Sequence, residues 1–339
     1  MLGLKVSYGH QSWTTATHLV PALRPLTTVQ VVGRGQRRLS SPPGDHLLWI
    51  ESGRRSLPTP VDLLHLPSSA WMIDTHRGME WRIPFGASFD HVFVAQRAAI
   101  PAFESLGVPV EWLPLAVPAC ECATTTDHPR RSHDIAFIGN ADPAGTRGRI
   151  LRALREELSV TTSDDHVEPD EMMAIYRRSR IVLNPPLAGD LNMRVFEAAG
   201  AGAMLLTSAM DSVEHVLPPG SYELVEGTDP AAWVAAAKRL LAEPEETERR
   251  AEAARQAVTS MHTYDHRAAT VVSRLADLPR RQVPPSVRLD GLVAAAAHYR
   301  STGVLFAPGL SRRQRTELVR HITNSLRAGV FRRVAALRR

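Results

Sequence analysis

Apolar residues gather in short runs, and the polar stretches between them have helical period. In the first third the runs fall at residues 4–8, 29–32, 47–50, 70–73, 91–95 and 110–113, with helices expected over 13–23 and 97–106. Runs of this length, too short and too apolar for half-exposed hairpins, predict an α/β fold built on a parallel, doubly wound sheet. Residues 116–133 break the pattern with Pro, Thr, Cys and charge. It then restarts: a strand over 134–139 ending in glycine, a helix over 147–158, a strand over 180–183, a short helix opening near Asn192, and a strand over 203–207. A strand at 224–225 and helical stretches at 228–242 and 244–276 close this half. Pro-rich residues 279–285 read as a second linker. Beyond them Leu318, Ile322, Leu326, Val330 and Val334 recur every four residues among arginines, as in a basic amphipathic helix. The expected organisation is an amino-terminal Rossmann-like domain (1–118), a linker (119–133), a carboxyl-terminal Rossmann-like domain (134–278) and a basic helical extension (279–339), with a cleft between the two domains.

The stretch 180–207 carries the most chemistry. Its strand ends at Asn184, a Pro-Gly loop follows, and the next helix carries Arg194 and Glu197 one turn apart. Ligands of open α/β sheets sit outside the carboxyl ends of the strands, where helix N-termini present free N–H groups to anions. A guanidinium for phosphate and a carboxylate for sugar hydroxyls together predict a nucleotide-sugar site. The alternative for the pair is a surface salt bridge. Arg147, just after the strand-ending glycine loop, is a second phosphate candidate. Asn184 ends its strand at the expected crevice, and Asn192 is either a helix cap or a ligand contact. In the first domain His76 lies just past a strand. Asp74, two residues earlier, is placed to orient it, to serve an acceptor, or to cap the loop. Gly9-His10 is a weaker candidate for an acceptor-side turn.

Composition narrows the chemistry. Of 40 cationic side chains only Lys5 and Lys238 are lysines, which removes a Schiff-base or P-loop lysine and leaves phosphate binding to Arg, His and backbone. The net charge of +5 is uneven: residues 311–339 carry nine arginines against Glu317, so the tail is basic and the remainder slightly acidic. That tail either packs one face on the protein or makes a peripheral contact with an anionic membrane; nucleic acid is not expected as a partner. No apolar run approaches a membrane span and no leader peptide is evident, so a cytoplasmic location is expected. Cys120 and Cys122 are the only cysteines; with His128 and His133 they make a four-ligand zinc site conceivable, a linker being the simpler reading. No Asp-x-Asp pair stands where a metal would bind a diphosphate, so no metal is expected.

Residues 134–267 resemble the carboxyl-terminal domain of GT-B glycosyltransferases, near family 4 and its spore-maturation CgeB-like branch. The matching pieces are Asp134-Ile-Ala-Phe-Ile-Gly139 with Arg147, the run from Met173 to Asn184, Asn192-Met-Arg-Val-Phe-Glu197 with Gly202, and His262-Thr-Tyr-Asp-His-Arg267. Weaker matches lie at Met72-Ile-Asp-Thr-His76, 89–96 and 112–116. The resemblance implies a hexosyltransferase-type enzyme (EC 2.4), metal-independent and retaining. It would use no cofactor beyond a nucleoside-diphosphate-sugar co-substrate, a UDP-sugar by default, with an unidentified acceptor. It implies donor diphosphate and ribose contacts for Arg147, Asn184, Asn192, Arg194 and Glu197, and a catalytic place for His76 and Asp74. Two departures stand out: the acidic partner expected eight positions before Glu197 is Gly189, and the phosphate-clamp lysine is absent. A catalytically degenerate binding module and a nucleotide-sugar epimerase are the alternatives.

Overall fold

Two parallel sheets organise the chain. The computed structural model describes residues 2–8, 14–32, 44–52, 57–58, 60–123, 131–163, 167–185, 189–210 and 212–301. The helix expected over 318–334, the Gly9-His10 turn and His128 lie outside them. One unit is Met1–Leu113 with the chain from Ala268 onward; the other is Pro114–Arg267.

The first unit contains β1 (Gly3–Ser7), α1 (Thr15–Leu23), β2 (Thr28–Val32), β3 (His46–Ile50), α2 (Pro60–His65), β4 (Ser68–Met72), α3 (Met79–Gly86), β5 (His91–Val94), α4 (Ile100–Glu104) and β6 (Val110–Trp112). Its strands lie in the order β2-β1-β3-β4-β5-β6, all parallel. Every residue of β3, β4 and β5 is buried, which is why residues 47–50, 70–72 and 92–94 read as unbroken apolar runs. Trp49, Phe85 and Phe89 fill one face of the sheet, with Trp49 and Phe85 edge to face at 4.9 Å.

Within the expected helical extension over 279–339 lies α11 (Pro285–Ser301), a helix that no apolar period marks, packed against α3 and α2. Leu292, Ala295 and Tyr299 join the aromatic core. Gly291 permits the close approach, since a Cβ there would lie 2.2 Å from the Pro84 carbonyl oxygen. Arg288 is buried and pairs with the fully buried Asp90 at 2.6 Å. Asp90 also accepts from the amides of Ser68 and Arg281, both at 2.8 Å, so the charge is matched on all sides.

The second unit contains β7 (His133–Phe137), α5 (Thr146–Glu157), β8 (Val160–Thr162), α6 (Pro169–Arg177), β9 (Ser179–Asn184), α7 (Met193–Gly200), β10 (Met204–Ser208), β11 (Tyr222–Val225), α8 (Pro230–Ala242) and α9 (Pro244–Met261). The parallel order is β11-β10-β9-β7-β8, so the winding reverses between β7 and β9. The helical stretch expected over 244–276 is two helices, α9 and α10 (Tyr264–Ala276). Thr263 breaks it: it bridges to Val117 as extended backbone, and its hydroxyl meets His266 Nδ1 at 2.7 Å.

Arginines serve as anchors for backbone carbonyls. Arg131 donates to the carbonyls of Arg177 (2.7 Å), Ser179 (3.1 Å) and Gly202, and the buried Arg267 to those of Pro114 (2.7 Å), Leu115 and Met261 (both 3.1 Å). The two lysines, by contrast, are committed to carboxylates: Lys5 to Asp62 and Lys238 to Glu157. Among the described residues no helix is long and apolar enough to cross a membrane.

Candidate functional site

In the second unit the crevice lies where the winding reverses, at the carboxyl ends of β7 and β9. Arg194, in the first turn of α7, spans it. Its Nη2 donates to the Ile138 carbonyl (2.7 Å), its Nη1 to Asn184 Oδ1 (3.2 Å) and its Nε to the Tyr176 hydroxyl (3.3 Å), with the guanidinium 4.8 Å from the Phe137 ring centre. Gly139 leaves room for it: a Cβ there would fall 2.6 Å from Nη2, and the residue has φ +148°. Arg147, in the first turn of α5, donates to the carbonyls of Pro185 (2.7 Å) and Asn140 (3.3 Å) and lies 5.9 Å from the same ring. Both phosphate candidates therefore converge on Phe137.

The other expected contacts separate into two kinds. Asn184 is fully buried; besides receiving Arg194, its Nδ2 reaches Thr207 on β10 at 3.5 Å, so it braces the arginine from within the sheet. Asn192 occupies the cap position of α7 with extended backbone, yet its side chain does not cap, and its buried Oδ1 accepts no hydrogen bond. Gly189, where the acidic partner was expected, is left-handed at φ +70°, a conformation that disfavours any side chain there.

Glu197 lies on the buried face of α7 at 8% exposure and forms no ion pair with Arg194, whose donors are used elsewhere. Burial pushes its carboxyl up to about 7; the Arg194 charge opposes the rise and Glu121 adds to it. Glu121 is itself raised to about 7, first by burial and then by Asp170, against Arg177. Glu121 and Tyr176 were not singled out from the sequence, although Tyr176 falls within the run that carried the resemblance.

In the first unit Asp74 and His76 follow β4 at the carboxyl edge of the sheet. Burial, and next the charge of Glu51, raise the Asp74 carboxyl. No hydrogen bond joins Asp74 to His76; instead His76 Nε2 accepts from Arg77 Nε at 2.8 Å. His76 Nδ1 and the Thr75 hydroxyl are buried without hydrogen-bond partners. Behind the loop lies a pair that pattern reading missed. Glu51, just past β3, is 3% exposed and Arg82 of α3 is 5% exposed, and they form an ion pair. Glu51 Oε2 also accepts from the amides of Ile73 (2.8 Å) and Asp74 (3.2 Å), while Arg82 donates to the Arg77 carbonyl.

Of the four residues of the zinc alternative, His128 lies outside the described ones. Cys122 donates to the Pro118 carbonyl at 3.7 Å, Cys120 is exposed, and His133 Nδ1 pairs with the Thr161 hydroxyl at 3.1 Å. Among the described residues no group of three or more His, Cys, Asp or Glu could hold a metal ion.

Residues 123–273 match a family model described as glycosyl transferase-like. A D-inositol 3-phosphate glycosyltransferase of Corynebacterium urealyticum is 26% identical over 144 residues, 40% of this chain and 34% of that protein. The chain thus matches about a third of the length of that curated relative. Among solved structures, a sucrose-phosphate synthase from Thermosynechococcus elongatus superposes with TM-score 0.56 and 12% identity, over 82% of this chain and 99% of that one. Anabaena HepE in complex with UDP and glucose superposes with TM-score 0.60 and 10% identity, over 81% and 99%. The chain has the GT-B fold, and its residues 123–273 are similar to the glycosyl transferase-like family.

Proposed function

We propose that the protein is a hexosyltransferase-type enzyme that moves a sugar from a nucleoside-diphosphate donor to an acceptor. The donor is held by the unit Pro114–Arg267 and the acceptor is taken by the amino-terminal unit. One observation carries this reading: Arg194 is fixed across the winding reversal by a carbonyl, a buried asparagine and a tyrosine, within one turn of the buried Glu197. Departure of the sugar leaves charge on the β-phosphate. A guanidinium already fixed near the developing charge stabilises it without reorganising, which is where an electrostatic catalyst gains most. Arg147 adds a second cation beside the same ring, so arginines take the part that a lysine or a metal plays elsewhere. In this reading Glu197 accepts the ribose hydroxyls, Asn184 braces Arg194, and the unsatisfied Oδ1 of Asn192 faces donor groups.

His76 supplies a hydrogen-bond donor to the reacting region. Its Nε2 lone pair is taken by Arg77, so the neutral ring carries its hydrogen on Nδ1. Asp74, held towards its protonated form, serves the acceptor hydroxyl. UDP is the donor nucleotide of this proposal, in keeping with the UDP and glucose bound by HepE. Retention of anomeric configuration rests on the resemblance alone.

Thermal melts with a panel of nucleoside diphosphates test the reading. A rise with UDP that is lost in Arg194→Ala, together with sugar release from a UDP-sugar, supports it. Failure of every nucleoside diphosphate to raise the melting temperature refutes it, and UDP binding without turnover would leave a nucleotide-binding module.

A further inference from the structure

We infer that the buried Glu51–Arg82 pair is a positioning device that orients His76, a role that rests on the sugar-transfer reading. The pair grips the 73–77 loop at both ends. Glu51 Oε2 takes the first two amides of the loop, those of Ile73 and Asp74, and Arg82 Nη1 takes its last carbonyl, that of Arg77. Arg77 in turn donates its Nε to His76 Nε2 at 2.8 Å. The connection runs unbroken from the sheet edge at Glu51 through Arg82 and Arg77 to the imidazole.

Three further observations separate this pair from a merely structural one. First, it is kept dry: the Arg82 guanidinium lies 4.4 Å from the Trp81 ring centre, and Tyr299 of α11 covers Trp81 with ring centres 5.4 Å apart. Ion pairs sealed from water are no more stabilising than apolar side chains of similar volume, so stability alone does not explain this one. What two apolar side chains cannot do is hold backbone amides and a carbonyl. Second, Gly78 is left-handed at φ +61°, and a Cβ there would lie 2.6 Å from Arg82 Nη1, so the loop exit is shaped around this guanidinium. Third, the grip ends on polar atoms that the protein leaves unsatisfied, His76 Nδ1 and the Thr75 hydroxyl. A loop braced this firmly, bearing unpaired hydrogen-bonding atoms, is arranged for something outside the chain.

The test compares wild type with two variants of the whole protein. Glu51→Met/Arg82→Met replaces the pair by side chains of similar size that restore packing but cannot grip the loop. Arg82→Lys keeps the ion pair, but a single ammonium cannot serve Glu51 and the Arg77 carbonyl together. Sugar release from a UDP-sugar gives kcat and donor KM, and nitrogen NMR of the His76 ring reports its tautomer. In folded variants kcat is expected to fall on the order of 100-fold, the effect of a small misplacement of a catalytic group, with donor KM within about twofold. The His76 signals should change from a fixed Nδ1–H form to a tautomer average. Unchanged His76 signals, or an unchanged kcat, in either folded variant overturns the proposal. If wild type turns over no donor, it is the sugar-transfer reading that fails, and the tautomer measurement still decides the positioning role.

Discussion

Replacing Glu197 by glutamine removes a charge that the second unit accommodates poorly, and the gain can be worked from its surroundings. Burial raises the carboxyl from 4.5 to about 7. The folded protein therefore holds this proton where the unfolded chain has released it. The native state then binds more protons than the unfolded state, so stability falls as pH rises from 4.5 to about 7 and stays lowered above that. At 1.36 kcal/mol per pH unit, the cost at pH 8 is about 3 kcal/mol. Glu197→Gln keeps the shape without the charge. The variant should match wild type at pH 4.5 and exceed it by about 3 kcal/mol at pH 8, roughly 6–12 °C in melting temperature for a unit of this size. Calorimetric melts of both proteins at half-unit steps of pH make the comparison. A difference that does not grow with pH, or a variant less stable than wild type at pH 8, refutes the assignment of Glu197 as a buried, desolvated carboxyl.

Two further substitutions probe the frame around the sites. Gly139→Ala forces a Cβ to within 2.6 Å of the Arg194 guanidinium at a backbone angle suited to glycine. It should cost about 1–3 kcal/mol and weaken UDP binding along with it; a melt and a titration showing neither would mean that Arg194 does not depend on this approach. Arg288→Met leaves the fully buried Asp90 without its cation and should cost about 3–5 kcal/mol in urea unfolding. Hydrogen exchange should quicken first in α11, and uniform loss across the first unit would contradict its role as the anchor of that helix.

Where burial follows period, the sequence was readable. Apart from β8, the strands of both sheets appear within a residue or two of the apolar runs, and Arg194 and Arg147 meet at the Phe137 ring because each lies in the first turn of a helix. The unread parts share a physical cause. In α11 a deeply buried position is Arg288 while Val287 is 39% exposed, so the apolar stripe that identifies a helix is scrambled. The role of Glu51 depends on amides more than 20 residues away, and that of Tyr176 on a guanidinium from another helix. No periodicity encodes such partners, though the place of Glu51 just past an apolar strand marked the correct edge of the sheet. The 244–276 helix was read as continuous because helix propensity says nothing of the distant strand residue, Val117, that draws Thr263 out.

The division of labour between two lysines locked onto carboxylates and many arginines locked onto carbonyls gives the molecule an unusual chemical temperament. Acylating reagents, which seek amines, find among the side chains only Lys5 and Lys238, so amine labelling leaves Arg147, Arg194 and the loop grips untouched. Dicarbonyl reagents, which condense with guanidinium groups, attack the fastenings themselves. Glyoxal damage should therefore inactivate the protein at a degree of modification that acylation would pass over without effect.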